Sequence, residues 1–221
     1  MVTTPDRPVD TVLLDVDGTL VDSTHLHALA WQRTFADADL YPEWWRIHRA
    51  IGIGGDRLVG ELCGEQVEAE RGDALRERWA DEYRRLLSGV YPIPGAVELV
   101  RSLSDKGYRV AVASSGAPEF TDFALDLLGL RHGDFAAVVT SADADESKPA
   151  ANLLQVALDR AGGHTGILVG DSVWDVVAAN RLPADCVGVR TGGFAESELA
   201  DAGAVLVVDD VDALVARDWR P

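Results

Sequence analysis

The chain has 221 residues, 47% of them hydrophobic and 26% charged, which is typical of a globular protein and argues against a disordered, collagen-like or repeat sequence. Its formal net charge of −17 argues against a nucleic-acid partner, because nucleic acids bind to basic surfaces. The longest apolar runs, such as residues 204–208, are only as long as strands, so we expect no membrane span.

Residues 1–10 lack the apolar stretch of a signal peptide, and the two cysteines, Cys63 and Cys186, lack metal-binding spacing. We interpret both as buried thiols in a reducing compartment and expect a cytoplasmic protein. Trp44 and Trp45 are expected to serve in packing or as a dimer surface, so a monomer and a homodimer both stay open.

The first predicted element is a buried strand at residues 11–16, which ends at the turn signal Asp17-Gly18. No convincing strand follows between residues 23 and 89. Apolar residues recur there at helical spacing, and we predict helices at 25–36, after Pro42, at 57–63 and at 68–87. This block is interpreted as a small all-helical unit.

From residue 92 onward, apolar strands and helices alternate. We predict strands at residues 108–113, 135–139, 167–169, 186–189 and 205–208, and helices at residues 94–104, 118–128, 149–160 and 173–181. Such alternation is typical of an α/β protein with a parallel sheet covered by helices on both faces. We therefore predict a core of residues 1–21 and 90–221, with an all-helical domain inserted at residues 22–89.

Polar residues follow the strands at the edge where ligands bind in sheets of this type. They are Asp15 and Asp17 after the first strand, Ser114, Ser115 and Gly116 after the second, Lys148 after the third, and Asp171 and Asp175 after the fourth. Each has a simpler explanation by itself, as a turn residue, a helix cap or a solvated charge. Their occurrence together, in order and at strand ends, favours one functional site.

Carboxylates at this edge suit a magnesium ion, which prefers oxygen ligands and needs few of them, here Asp15 and Asp171. A bound cation would keep Asp15 ionised, and an ionised carboxylate can attack phosphorus to form an aspartyl-phosphate. Asp17 could then protonate the leaving oxygen and later take a proton from water. These roles predict a magnesium-dependent enzyme that acts on a small phosphorylated metabolite.

The remaining residues of the set suit phosphate recognition. Ser114 and the backbone N–H groups around Gly116 can donate to phosphoryl oxygens, with Ser115 between them, and Lys148 supplies a positive charge. Asp175 lies one helical turn after Asp171, so both carboxylates can face the same site.

These residues resemble the four motifs of the haloacid dehalogenase superfamily of phosphohydrolases. The segment DVDGTLVDS at residues 15–23 resembles the first motif, Ser114 the second, Lys148 with Pro149 the third, and GDSVWD at residues 170–175 the fourth. The resemblance spans nearly the whole chain and implies a Rossmann-like core with a helical cap inserted after the first motif.

For the site, the resemblance implies Asp15 as the nucleophile and Asp17 as the general acid and base. It further implies Mg²⁺ held by Asp15, by the backbone carbonyl of Asp17 and by Asp171. Asp175 is then expected to support either the waters of the metal or Lys148.

Within the superfamily, the dehalogenases lack the second aspartate, present here as Asp17, and phosphonoacetaldehyde hydrolase uses a cap lysine, whereas residues 22–89 contain no lysine. Beta-phosphoglucomutase is more similar around His27, but its cap carries basic residues where this chain has Ile51 and Gly55. The pattern favours a phosphatase similar to the phosphoglycolate and sugar-phosphate phosphatases. A phosphotransferase of the beta-phosphoglucomutase type and a catalytically silent protein that binds a phosphorylated metabolite are the alternatives.

In the cap, substrate contacts are predicted at His27, Gly54 and Arg57. The glycine-rich segment at residues 51–57 can be a simple break between helices, or a loop that reaches into the cleft and selects the leaving group. His27 can likewise be a hinge or core residue or contact the substrate. The segment RTGG at residues 190–193 is expected to form a turn that frames the cleft.

Overall fold

The structure, a computed structural model, describes residues 8–143, 148, 150–182 and 184–221. Pro149, which was expected to begin a helix and to belong to the third motif, lies outside the described residues. The strands are, in chain order, β1 (Thr11–Leu14), β2 (Val21–Asp22), β3 (Tyr91–Pro92), β4 (Arg109–Ala113), β5 (Ala137–Val139), β6 (Gly166–Gly170), β7 (Asp185–Val189) and β8 (Leu206–Val208). The helices are α1 (Thr24–Asp37), α2 (Trp44–Ala50), α3 (Gly55–Cys63), α4 (Glu65–Leu86), α5 (Ala96–Asp105), α6 (Pro118–Leu127), α7 (Asn152–Arg160), α8 (Val173–Asn180), α9 (Glu196–Ala202) and α10 (Asp212–Ala216).

Six of the strands form one parallel sheet in the order β5-β4-β1-β6-β7-β8. The central strand β1 pairs Thr11 with Arg109 of β4 on one side and with Gly166 of β6 on the other. Helices α5, α6 and α10 pack with Leu14 on one face of the sheet, and α7, α8 and α9 pack with Leu13 on the opposite face. Both leucines are fully buried, which explains the continuous apolar run of this strand. The predicted α/β fold with a Rossmann-like core is confirmed.

The helical block of α1 to α4 lies between β2 and β3, which pair as a short antiparallel ribbon with Val21 opposite Pro92. The block has a hydrophobic cluster of its own, in which Trp31, Ile47 and Leu58 are buried. A helical unit inserted into the core therefore agrees with the structure, while the division at residues 22–89 stays a prediction.

Several elements differ from their predicted bounds. The strand expected from residue 135 covers only Ala137–Val139, because a 3₁₀ turn at His132–Asp134 precedes it. The helix expected from residue 149 is described from Asn152. Helices α9 and α10 were missed, since each is short and buries one apolar side chain, Leu199 and Leu214, which is too few for a helical period.

Trp44 and Trp45 are 49% and 67% exposed, so they lie on the surface of α2 and not in the core. Cys186 is buried as expected, whereas Cys63 is only half-buried. Among the described helices, none combines the length and the apolar character that a membrane crossing requires.

Candidate active site

The carboxyl ends of β1, β4 and β6 bring the first, second and fourth motifs to one edge of the sheet. The N–H of Asp15 still donates to the Val169 carbonyl at 3.0 Å, and the N–H of Ser114 donates to the Val139 carbonyl at 3.0 Å. These residues therefore extend the strand ladders by one position, and Asp171 directly follows β6. The backbone of the sheet thus fixes where the three side chains begin.

Lys148 lies at the centre of this edge and is only 1% exposed. Its ammonium forms an ion pair with the Asp15 carboxylate, and its Nζ lies 2.7 Å from Asp175 Oδ1. Burial acts to lower the pKa of Lys148, but the two carboxylates outweigh it and raise the pKa above its ordinary value. The lysine is therefore a fixed positive charge beneath Asp15.

The carboxylates at this edge carry more negative charge than Lys148 offsets. Oxygen atoms of Asp15, Asp171 and Asp175 lie within 4.8 Å of one another. Burial, together with the charges of Asp175 and Asp17, raises the pKa of Asp15 to about 7 despite the opposing effect of Lys148. Burial and the charges of Asp175 and Asp15 also raise the pKa of Asp171 well above its ordinary value. Such crowding is relieved when a cation binds among the oxygens.

The three carboxylates are not equally available to a metal ion. Asp175 Oδ2 accepts from the N–H and Oγ of Ser172, at 3.1 and 2.6 Å, and Oδ1 faces Lys148. Asp171 Oδ2, in contrast, accepts a long hydrogen bond of 3.4 Å from Thr24 Oγ1. Asp15 and Asp171 are therefore the better candidates for ligands, and Asp175 holds Lys148 and the start of α8.

Two glycines leave the space in which the Asp171 carboxylate lies. A Cβ at Gly18 or at Gly192 would overlap Asp171 Oδ2, and Gly18 also has a φ of +81°, which favours glycine. The Thr191 hydroxyl donates to the Gly18 carbonyl, so the RTGG turn contacts the first motif. The donor set and this cradle fit a hard divalent cation with oxygen ligands.

Asp17 points towards the helical block. Its Oδ1 lies 2.8 Å from His27 Nε2 and accepts from Ser23 Oγ at 2.6 Å. Burial acts to raise the pKa of Asp17, but His27 and the hydrogen bond from Ser23 lower it overall. The His27 ring stacks on Tyr83 of α4 at a centroid distance of 3.8 Å. His27 is thus a buried partner of Asp17, a role that the sequence did not indicate.

The loop after β4 contributes Ser114, Ser115 and Gly116. Ser114 is buried, and its Oγ accepts from the Gly116 N–H at 3.0 Å, so it shapes the loop. It is not a helix cap, because α6 begins four residues later at Pro118, with Ala117 as its N-cap. Ser172, in contrast, is the N-cap residue of α8 and forms a capping box with Asp175.

A pocket opens between the sheet edge and the helical block. Its wall on the sheet side includes Asp15, Asp17, Ser115 and Gly116. Its wall on the side of the helices includes His27, Trp31, Ile51, Gly52, Ile53, Gly55, Leu58 and Trp79. Asp15, Asp17, His27, Ser115 and Gly116 are thus the predicted residues that line this pocket, together with apolar side chains that the sequence did not single out.

Two predicted cap residues are not brought into this pocket. Gly54 lies beside it, and its N–H donates to the Lys148 carbonyl at 3.4 Å. Arg57 is exposed and lines a separate groove with Gly60 and Glu61. Both positions depend on which face α3 presents to the core, and this was not readable from the spacing of the glycines.

A parallel sheet with an inserted helical block, and with buried carboxylates and a lysine at the carboxyl ends of its strands, is typical of one class of hydrolase. A family model described as haloacid dehalogenase-like hydrolase matches residues 9–182. The chain belongs to this family, as its motifs predicted.

Relatives and solved structures agree with this assignment. The phosphoglycolate phosphatase of Agrobacterium fabrum is 30% identical over 217 residues, which cover 94% of this chain and 92% of that protein. The crystal structure of a hydrolase from Pseudomonas syringae matches with 32% identity and a TM-score of 0.87, covering 94% of this chain and 96% of that one. The chain is also 32% identical over 218 residues to the protein SUPPRESSOR OF QUENCHING 1, chloroplastic, of Arabidopsis thaliana, and the match spans 95% of this chain but 20% of that protein.

Proposed function

We propose that this chain is a magnesium-dependent phosphatase that hydrolyses small phosphate monoesters, of the sugar-phosphate or phosphoglycolate type, through an aspartyl-phosphate on Asp15. The observation that carries the proposal is the position of Asp15, which lies between the buried Lys148 and the pocket, within reach of the Asp171 carboxylate. The phosphoglycolate phosphatases among its relatives support the reaction class.

In the first step, a carboxylate oxygen of Asp15 attacks phosphorus, and the bond from phosphorus to the ester oxygen breaks. The pKa of Asp17 is lowered in the ligand-free protein, so Asp17 takes up a proton when the negative charge of the phosphate enters the site, and it gives this proton to the leaving oxygen. Lys148, Ser114 and the loop N–H groups offset or bind the charge of the phosphoryl oxygens. Mg²⁺, when held by Asp15, Asp171 and the Asp17 carbonyl, supplies the positive charge that keeps Asp15 ionised and offsets the charge of the phosphate.

In the second step, Asp17 takes a proton from a water molecule, and the water oxygen attacks the phosphorus of the aspartyl-phosphate. The bond between phosphorus and Asp15 breaks, which releases phosphate and restores both carboxyl groups. His27 and Ser23, which bind Asp17 Oδ1, orient the side chain that moves the proton in both steps.

The test is phosphate release from para-nitrophenyl phosphate and a panel of phosphorylated metabolites, with magnesium and with EDTA. We expect magnesium-dependent turnover that Asp15→Asn abolishes. The matched control is Asp22→Asn, since Asp22 belongs to the same motif but is exposed and lies 3.5 Å from His25. Absence of turnover across the panel, or full activity in Asp15→Asn, would contradict the proposal.

A hexose 1-phosphate separates hydrolysis from the transfer reaction of a mutase. We expect free phosphate and no isomerised sugar phosphate. A mutase must hold a second phosphate in its cap, and no lysine or arginine lines the described walls of the pocket. Isomerisation in place of hydrolysis would replace the phosphatase assignment.

A further inference from the structure

We infer that the pocket selects phosphate monoesters whose alcohol part is uncharged, with an apolar face and an oxygen that accepts a hydrogen bond. Esters whose alcohol part carries a carboxylate or a second phosphate are discriminated against. The inference rests on the proposed function and narrows its substrate class, since it favours neutral esters of the sugar-phosphate type over esters of the phosphoglycolate type.

The wall that faces the leaving group is apolar. The side chains of Trp31, Ile51, Ile53, Leu58 and Trp79 line the part of the pocket that the helical block contributes. Walls of this kind bind an apolar surface and leave an anionic group without a partner once it has lost its water.

No cationic side chain is free at this pocket among the described residues. The basic side chain on its wall is His27, whose Nε2 lies 2.8 Å from Asp17 Oδ1. The ammonium of Lys148, which is buried, forms ion pairs with both Asp15 and Asp175. The four residues that precede Lys148 in the sequence, 144–147, are Ala, Asp, Glu and Ser and include no basic side chain.

Two arginines of the helical block, Arg49 and Arg76, are held by carboxylates that do not line the pocket, and Arg57 lines a separate groove. Arg49 forms hydrogen bonds to both oxygens of Glu198, at 3.1 and 2.5 Å. Arg76 runs along Gly55, but its guanidinium lies 2.8 Å from both Glu68 and Asp73. Neither is available to an anionic leaving group unless it gives up its ion pair.

The hydrogen-bond donors that the pocket does offer are neutral. Trp79 Nε1 and Ser115 Oγ are buried and have no hydrogen-bond partner within the described part of the chain, and both residues line the pocket. A buried donor without an acceptor is unfavourable, so each suits an oxygen atom of a ligand. A hydroxyl or carbonyl oxygen satisfies such a donor without bringing a further negative charge next to Asp15 and Asp17.

The test compares two esters that differ in one group, 2-hydroxyethyl phosphate and phosphoglycolate, with the wild-type protein and magnesium. We expect kcat/KM to be higher for the neutral ester by about tenfold or more, because the carboxylate enters a site with no cation to pair with. Equal rates, or a preference for phosphoglycolate, would overturn the selection while leaving the phosphatase assignment intact.

Binding of the same two esters to Asp15→Asn, measured by calorimetry with magnesium, tests the substrate selection separately from the phosphatase assignment. Tighter binding of the neutral ester without turnover by the wild type would support the selection and overturn the phosphatase assignment. Equal binding of both esters would overturn the selection in either case.

A positive charge introduced into the apolar wall of the pocket tests the substrate selection independently. Ile53→Arg is expected to shift the ratio of kcat/KM towards phosphoglycolate by about tenfold. The matched control is Gln66→Arg, which adds the same charge at an exposed position of α4 that contacts Glu70. An unchanged ratio in a folded Ile53→Arg protein would contradict the inference, and if this variant does not fold, the wild-type comparison decides.

Discussion

Arg49 of α2 forms a bidentate ion pair with Glu198 of α9, and this pair joins the helical block to the core. The guanidinium also lies over the ring of Phe194, 4.0 Å from its centroid. The Arg49 carbonyl accepts from Trp174 Nε1 at 2.9 Å. These contacts hold α2 against α8, α9 and the segment that precedes α9.

Glu198→Gln is expected to loosen this side of the pocket. A partly exposed ion pair contributes up to about 1 kcal/mol. Its loss therefore increases the population of molecules in which α2 has separated from the core by roughly fivefold. We expect faster hydrogen exchange in α2 and a KM that rises by a similar factor. Glu43→Gln is the control, since Glu43 pairs with Arg46 of the same helix at 3.3 Å. Equal exchange in the two variants would contradict a bridging role.

Lys148→Met is expected to remove most of the activity. The change leaves Asp15 and Asp175 buried without their cation, which costs about 3–5 kcal/mol of folding stability, and it removes a phosphate-binding charge worth about 10²–10³ in kcat. Denaturant melts and phosphate release measure the two effects. Lys106→Met is the control, because this other lysine pairs with Asp218 on the far side of the core. Comparable losses in both variants would contradict a specific role for Lys148.

The pH dependence of stability tests the charge of Asp15 without any substrate. The pKa of its carboxyl is about 7 in the folded protein, against an ordinary value of 3.8. The folded metal-free protein therefore holds a proton that the unfolded chain releases, and the stability from neutral Asp15 is lost as the pH rises from about 4 to about 7.

Asp15→Asn stays neutral over this window. In EDTA at pH 8 we expect it to melt above the wild type, by about 2–4 °C for each kcal/mol. Magnesium should raise the Tm of the wild type more than that of the variant. Asp22→Asn serves as the exposed control. A variant that melts below the wild type at pH 8 in EDTA would show that the ionised carboxylate is stabilising without metal.

Gly192→Ala is expected to weaken magnesium binding. The added Cβ would overlap the Asp171 carboxylate and its backbone carbonyl, so Asp171 must move. We expect the magnesium concentration for half-maximal activity to rise by about tenfold, since displaced ligands and their supports typically cost 10–100-fold in affinity. Gly133→Ala is the control, because nothing lies within 4 Å of its added Cβ. An unchanged magnesium requirement would argue against Asp171 as a ligand.

The sequence predicted the parallel sheet, the helical insertion and the edge cluster, because strand ends in a parallel sheet converge on one edge whatever the side chains are. It did not reveal the pairing of His27 with Asp17, which depends on how α1 packs against α4. The displacement of Arg57 from the pocket depends on the rotation of α3. Both features depend on how the helices pack against one another, and the spacing of apolar residues along the chain does not specify that packing.

The pairing of Val21 with Pro92 has a consequence for how such enzymes diversify. The helical block leaves the core after β2 and rejoins it at β3, and these two strands pair, so the block is connected to the core through one short two-stranded ribbon. A different insertion could join the core at this ribbon without disturbing the sheet edge at which Asp15, Lys148 and Asp171 meet. Related enzymes can therefore evolve to recognise a different alcohol part of the ester while the residues that act on the phosphoryl group stay the same.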